Sequence, residues 1–210
     1  MLHKLVDKVF VINLPASKER EIEIAEQCFK HGVHYERWEA IDGREKKVEW
    51  HETRYAKNLH GWTQGAAGLV HTTIALIKHA KEKGYKSILI LEDDIIFKPK
   101  IFEETEKGFK GLPEDWELFH LCSQNFRVPR RLGKRLVRLT GAWSCQAYMV
   151  SERAYDEYLS WLELLDRPID AVTSGVFHPK GNSYSLFIPQ IITRPNDSTI
   201  RGQFMNYKVE

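Results

Sequence analysis

Ser87-Ile88-Leu89-Ile90-Leu91-Glu92-Asp93-Asp94 is the stretch that decides the fold. An unbroken apolar run bounded by polar residues is the pattern of a strand covered on both faces, as at the centre of a parallel sheet. A strand with one wet face would alternate instead. Upstream, Val9-Phe10-Val11-Ile12-Asn13-Leu14, bounded by Pro15, reads as a second strand of the same kind. Ser17 is placed to cap the helix that follows, with Glu19 and Glu21 in its first turn and Ile22, Ala25, Cys28 and Phe29 on an apolar face. Gly32 stops that helix. Tyr35 to Ile41 reads as a strand closed by the Asp42-Gly43 turn, and Lys46 to His60 as a polar loop. Thr63 to Lys83 reads as a helix with Leu69, Val70, Thr73, Ile74, Ile77 and Ala80 inward, ended by Gly84.

The order strand, helix, strand, helix, strand implies an α/β doubly wound sheet. Downstream, Trp116–Leu121, Trp143–Val150 and Tyr184–Ile192 read as further strands. A helix capped by Ser151 turns Tyr155, Tyr158, Leu159, Leu162 and Leu165 inward. No repeat or linker divides the chain, so residues 1–210 are expected to form a single domain, with its core at about 9–194 and a polar tail after it.

Composition bounds the function classes. A net charge of +2 gives no general argument for nucleic-acid or membrane binding. The three cysteines, Cys28, Cys122 and Cys145, lack the paired spacing of a disulfide framework or a zinc site. No apolar run is long enough to span a membrane, and the N-terminus lacks a signal-peptide stretch, so a cytoplasmic location is expected. The sequence says nothing of the oligomeric state.

Glu92-Asp93-Asp94 follows the central strand directly. Adjacent carboxylates raise one another's pKa, and a cation relieves that cost. Oxygen-only ligands suit Mg²⁺ or Mn²⁺, which also grip substrate phosphates. In open α/β sheets, ligands bind beyond the carboxyl ends of the strands. The plainer alternative is a solvated acidic turn, and on the tripeptide alone both readings stand.

Several motifs, in order, resemble glycosyltransferase family 25, the group of lipopolysaccharide and procollagen galactosyltransferases. They are Val11-Ile12-Asn13-Leu14 with Arg20, Trp38-Glu39-Ala40-Ile41-Asp42-Gly43, the Gly-rich stretch Gly65 to His71, and Ile88 to Ile95. Ala147-Tyr148-Met149-Val150-Ser151 and Arg167-Pro168-Ile169-Asp170 are also similar. Val70 departs from the pattern, since the family usually has Ser before the His. The resemblance spans roughly residues 9 to 200. It implies a GT-A-like mixed sheet, a UDP-sugar donor (galactose or glucose) and inversion at the sugar carbon. It also implies Mn²⁺ or Mg²⁺ held at the acidic motif, with Asp94 the first-choice ligand and Glu92 contacting the ion through water or holding the ribose.

On that resemblance Asn13, Arg20, Ala40, Asp42, Gly68, His71 and Asp93 fall on the donor side. Each has a plainer alternative: Arg20 as a surface residue, Asp42 as the turn former, Gly65 and Gly68 as flexible helix-start residues, His71 as a packed helix residue. An inverting reaction needs one base for the acceptor hydroxyl, and Asp170 is the candidate, with a helix N-cap as its alternative. His178 is a candidate metal or phosphate ligand, or else a loop residue. Arg127, Arg130, Arg131, Lys134, Arg135 and Arg138 surround Gly133 as a basic hairpin, either a solvated face or a contact for an anionic acceptor. Trp62, Trp143 and Tyr148 stack on sugar or pack in the core. The acceptor is expected to be a glycan or a hydroxylysine-type protein hydroxyl. A metal phosphohydrolase and a non-catalytic nucleotide-sugar binder are the rivals. A response-regulator receiver is excluded, because its acidic pair follows the first strand.

Overall fold

The computed structural model describes residues 1–51, 64–143 and 145–194, and the backbone of 196–198 and 203–205. The first strands are β1 (Lys8–Asn13), β2 (Glu36–Glu39), β3 (Ser87–Glu92) and β4 (Ile95–Phe97). Next come β5 (Leu118–His120), β6 (Gln124–Asn125), β7 (Arg130–Leu132), β8 (Leu136–Arg138) and β9 (Ala142–Trp143). β10 (Ala147–Ser151), β11 (Ser183–Leu186) and β12 (Ile191–Thr193) follow. Eight of these form one sheet in the order β2-β1-β3-β10-β5-β11-β8-β7. β2, β1 and β3 run parallel, β10 runs against both β3 and β5, and β11 runs with β5. The expected α/β sheet is therefore present, and it is mixed.

β3 sits at the centre because both of its faces are apolar. Ile88 and Ile90 join one core with Phe10, Ile12, Tyr148 and Val150; Leu89 and Leu91 join the other with Val9, Val11, Ala147 and Met149. The four β3 side chains are at most 1% exposed, and such burial stabilises by roughly 1.5–3 kcal/mol per side chain. The Gln64–Glu82 and Glu152–Leu162 helices cover the first face, and the Lys18–Lys30 and Ile101–Phe109 helices cover the second. Ser151 caps its helix as expected, its hydroxyl accepting from Arg153 N–H at 3.3 Å.

Four details differ from the sequence reading. In the first helix Ile24 and Cys28 are buried, while Ile22 and Phe29 are exposed. Phe97 N–H donates to Gln27 Oε1 at 3.2 Å, which turns that side of the helix toward β4. The polar segment after Asp42 opens with a short helix, Gly43–Lys46; residues 52–60 of the expected loop, Trp62 and the expected helix start Thr63 lie outside the described residues. The run Tyr184–Ile192 splits at Pro189 into β11 of the main sheet and β12, which pairs with β4. The polar C-terminal segment contains two paired strands, β13 (Asn196–Ser198) and β14 (Gln203–Met205).

Two glycines bind the long helix to the turn after β2. A Cβ on Gly43 would lie 1.9 Å from the Gln64 carbonyl oxygen, and one on Gly68 would lie 2.3 Å from that of Ile41. Thr72 completes the seam: its hydroxyl accepts from Ile41 N–H at 2.8 Å and donates to the Gly68 carbonyl at 2.7 Å. Gly43→Ala should therefore destabilise the fold by about 1–3 kcal/mol, the usual cost of overpacking. Gly175→Ala, where a Cβ meets open space, serves as the control in urea unfolding. Equal midpoints for the two variants would contradict this account of the seam.

Candidate active site

β3 delivers its carboxylates into the turn that leads to β4. Glu92 is the last strand residue, with its N–H donating to the Gln146 carbonyl at 2.8 Å. Glu92 is half-buried, and burial, then the charges of Asp94, Asp170 and Asp93, push its pKa well above the carboxylate range. Asp94 anchors the same turn to the end of β12, its carbonyl accepting from Arg194 N–H at 2.8 Å.

Asp93 is tied back to the first strand. Asn13, 1% exposed, donates from Nδ2 to Asp93 Oδ2 at 2.7 Å and to the Ser17 carbonyl at 3.1 Å. Its Oδ1 accepts twice from Arg37, from Nε at 3.1 Å and Nη2 at 2.8 Å. All four hydrogen-bonding positions of the amide are thus used, and Arg37 fixes which end faces Asp93. Arg20 Nη1 lies 3.4 Å from Asp93 Oδ1. Burial raises the Asp93 pKa, opposed by the Asn13 hydrogen bond and the Arg20 charge. Asn13, Arg20 and Asp93 therefore form one network, which joins β1, the first helix and β3. Arg37 was not legible in the sequence. It lies in an edge strand where Glu36 and Glu39 are charged as well, so its charge does not single it out.

Asp170 comes to the same place from the other half of the sheet. Its charge is the second-largest charge effect on Glu92, after that of Asp94. Cys122, beyond the end of β5, is pushed to about 12 by burial and then by Glu92, Asp170 and Asp94. Asp94 and Asp170 thus both act by their charge on Glu92 and on Cys122. Asp170 Oδ1 accepts from Cys145 N–H at 3.1 Å, and Cys145 Sγ lies 3.6 Å from Thr173 Oγ1. The expected alternative, a helix N-cap, is not what Asp170 does. Pro168 occupies the N-cap position, and Asp170 sits within the first turn of Ile169–Val172. A π-helical segment, Thr173–Phe177, follows immediately. Such turns are rare and recur at functional sites.

Several other expected site residues have structural roles. Asp42 caps Gly43–Lys46, accepting from Arg44 N–H at 2.9 Å and pairing with its guanidinium at 2.7 Å; Arg44 holds the carboxyl below its usual range. Gly68 admits a neighbouring turn rather than a ligand. Val70 is a core residue, 1% exposed. His71 Nε2 lies 2.7 Å from the Glu49 carbonyl oxygen, and Ala40 N–H donates to the Asn13 carbonyl at 2.9 Å. Tyr148 is fully buried, its hydroxyl 3.3 Å from that of Tyr158, whereas Trp143 is exposed.

His178 begins the short helix His178–Lys180 and is 2% exposed. Its Nδ1 accepts from Ala142 N–H at 3.2 Å, and its ring stands edge-on to His120. Burial, then the nearby His120, depresses its pKa to about 3. Among the described residues no three His, Cys, Asp or Glu side chains form a ready-made metal cage, so His178 is not gathered with Glu92 and Asp94. The basic segment is the β7–β8 hairpin, with Gly133 between its strands. Arg135 pairs with Glu104 at 3.1 Å, and Arg131 lies over the Phe187 ring at 4.1 Å.

The fold is thus a mixed α/β sheet with acidic residues at the end of its central strand. A family model described as glycosyltransferase family 25 (LPS biosynthesis protein) matches residues 6–140, and the chain belongs to that family. Procollagen galactosyltransferase 2 of Mus musculus is 21% identical over 150 residues, which are 65% of this chain and 24% of that protein. The chain thus spans about a quarter of that relative's length. Among solved structures, a glycosyltransferase involved in the glycosylation of the major capsid of PBCV-1 is similar at 12% identity and a TM-score of 0.47, covering 85% of this chain and 80% of that one. Mouse xyloside xylosyltransferase 1 is similar at 12% identity and 0.46, covering 84% and 83%. No helix among the described residues is long and apolar enough to cross a membrane.

The geometry yields two tests. Asn13→Asp sets an acid against Asp93 where an N–H now stands. It should cost at least about 1–3 kcal/mol at pH 7, as leaving a buried polar group unpaired does, and less at pH 5, where a proton can be shared. Unfolding at both pH values checks this. The second test concerns His178, whose folded pKa of about 3 lies below the ordinary value of 6.5. The stability it permits is fully present above pH 6.5. It is lost as pH falls toward 3, with a slope of up to about 1.4 kcal/mol per pH unit. His178→Gln should flatten that acid limb.

Proposed function

We propose that the chain transfers a hexose, galactose or glucose, from a UDP-sugar to a hydroxyl acceptor, with inversion and with help from Mn²⁺ or Mg²⁺. The observation that carries the reading is that Asp94 and Asp170, some 76 residues apart in sequence, both act by their charge on Glu92 at the end of the central strand. The names of the family and of the mouse relative, which concern lipopolysaccharide biosynthesis and galactosyl transfer, agree with it.

The donor set is all oxygen and carries surplus negative charge, which fits a hard divalent cation. Glu92 and Asp94 would hold it, and when bound it neutralises charge on the departing diphosphate. Asn13, Arg20 and Arg37 hold Asp93, and through it the turn, in place. Asp170, oriented by Cys145 N–H, accepts the proton of the acceptor hydroxyl. That oxygen bonds to the anomeric carbon as the bond from carbon to the diphosphate oxygen breaks, and the diphosphate leaves with the electron pair.

Asp94→Ala should abolish Mn²⁺-dependent UDP-sugar binding in calorimetry while the melting temperature holds within a few degrees. Unchanged donor affinity would contradict the assignment. Asp170→Asn keeps the size of the side chain and its acceptor oxygen for Cys145, so donor affinity should barely change. Transfer should fall by roughly 10²–10⁴-fold, the usual share of general-base catalysis. Turnover within a few-fold of the unaltered protein would remove Asp170 from that role. A screen of UDP-sugars with Mn²⁺, comparing transfer with release of free phosphate, separates the transferase from a phosphohydrolase.

A further inference from the structure

Both strands of the β6–β9 ribbon start from the acidic pocket. Cys122, which feels Glu92, Asp170 and Asp94, lies two residues before β6. Cys145, whose N–H holds Asp170, lies two residues after Trp143 of β9. Chain reach alone puts the Trp143 Cα within about 7 Å of the Cys145 Cα. The ribbon carries an aromatic pair: Phe126 and Trp143 meet edge to face, with centroids 5.7 Å apart at 84°. Phe126 is 54% exposed and Trp143 42%, so the pair is not core.

The pair is also held in place. Phe126 N–H and Arg127 N–H both donate to the Gly141 carbonyl at 3.2 Å. A Cβ on Gly141 would lie 2.7 Å from Phe126 Cε2 and 2.9 Å from Arg127 Cδ. Glycine at 141 leaves room for the Phe126 ring and the Arg127 stem, which a Cβ there would push aside. A fixed, exposed aromatic corner beside a proton acceptor has a chemical match in the acceptor. The ring C–H face of a hexopyranose is apolar and its rim is hydroxylated, so it stacks on an aromatic face while Arg127 can meet its hydroxyls.

We infer that Phe126 and Trp143 form the acceptor subsite and that its occupant is a saccharide ring, whose hydroxyl is thereby presented to Asp170. The inference rests on the transferase reading. It selects a glycan over a hydroxylysine-type peptide as the acceptor.

The test uses the full chain and its Trp143→Ala, Trp143→Phe and Phe126→Ala variants. Saturation-transfer NMR with methyl β-galactoside and methyl β-glucoside reads acceptor binding, and UDP-galactose affinity in Mn²⁺ reads the donor side. The unaltered protein should transfer saturation to the ring C–H protons of at least one glycoside. Trp143→Ala should weaken that binding roughly tenfold and Trp143→Phe much less. Donor affinity should stay within twofold in all three variants. No saturation transfer in the unaltered protein, or equal glycoside binding in Trp143→Ala, overturns the inference. So does selective transfer to a hydroxylysine peptide. An unaltered protein that binds glycosides through Trp143 yet turns over no sugar nucleotide leaves the subsite standing and refutes the transferase reading instead.

Discussion

The structure depends on one constraint: β3 is buried on both faces, yet it must end in charge. Leu91 lies in the apolar core, and the next residue is Glu92. Nothing in the strand softens that step, so the surroundings of the turn have to. β1 contributes Asn13 and the first helix contributes Arg20, both to Asp93. The far half of the sheet contributes Asp170 and the Cys145 N–H that orients it. Burial, and then the charge concentrated there, raises the pKa of Glu92 and of Cys122 alike.

Much of the fold was legible because its signals are local. The apolar runs of β1 and β3, the Ser151 cap and the glycine stops are each decided by a few neighbouring residues. The misses come from tertiary choices. Ile22 and Phe29 fit a helical stripe as well as Ile24 and Cys28 do, and only the Gln27 contact to β4 selects between them. The split of β11 from β12 depends on β4 offering a partner to the second half. The reversal at β10, which makes the sheet mixed, left no mark in the apolar pattern, since a buried strand reads alike in either direction.

The site divides in the same way. The acidic motif announces itself, because three adjacent carboxylates after a buried strand are costly. Its supports do not. Arg37 acts through Asn13 from a strand register away, and Gly68 is small for the sake of another backbone, not a ligand. His178 invites a metal reading by residue type alone. Its depth, its bond from Ala142 and its depressed pKa keep it a neutral imidazole.

The π-helical segment between Asp170 and His178 has a geometric consequence. In a straight α-helix, residues eight apart point about 80° away from each other around the axis. The wider turn of Thr173–Phe177 spends extra residues per revolution and takes up that phase error. Both side chains then reach the same stretch of chain: Asp170 accepts from Cys145 N–H and His178 from Ala142 N–H. One helix thus clasps both ends of the segment bearing Trp143. The carboxylate and the aromatic corner are fastened to a common rail, and a shift of that helix carries the two together.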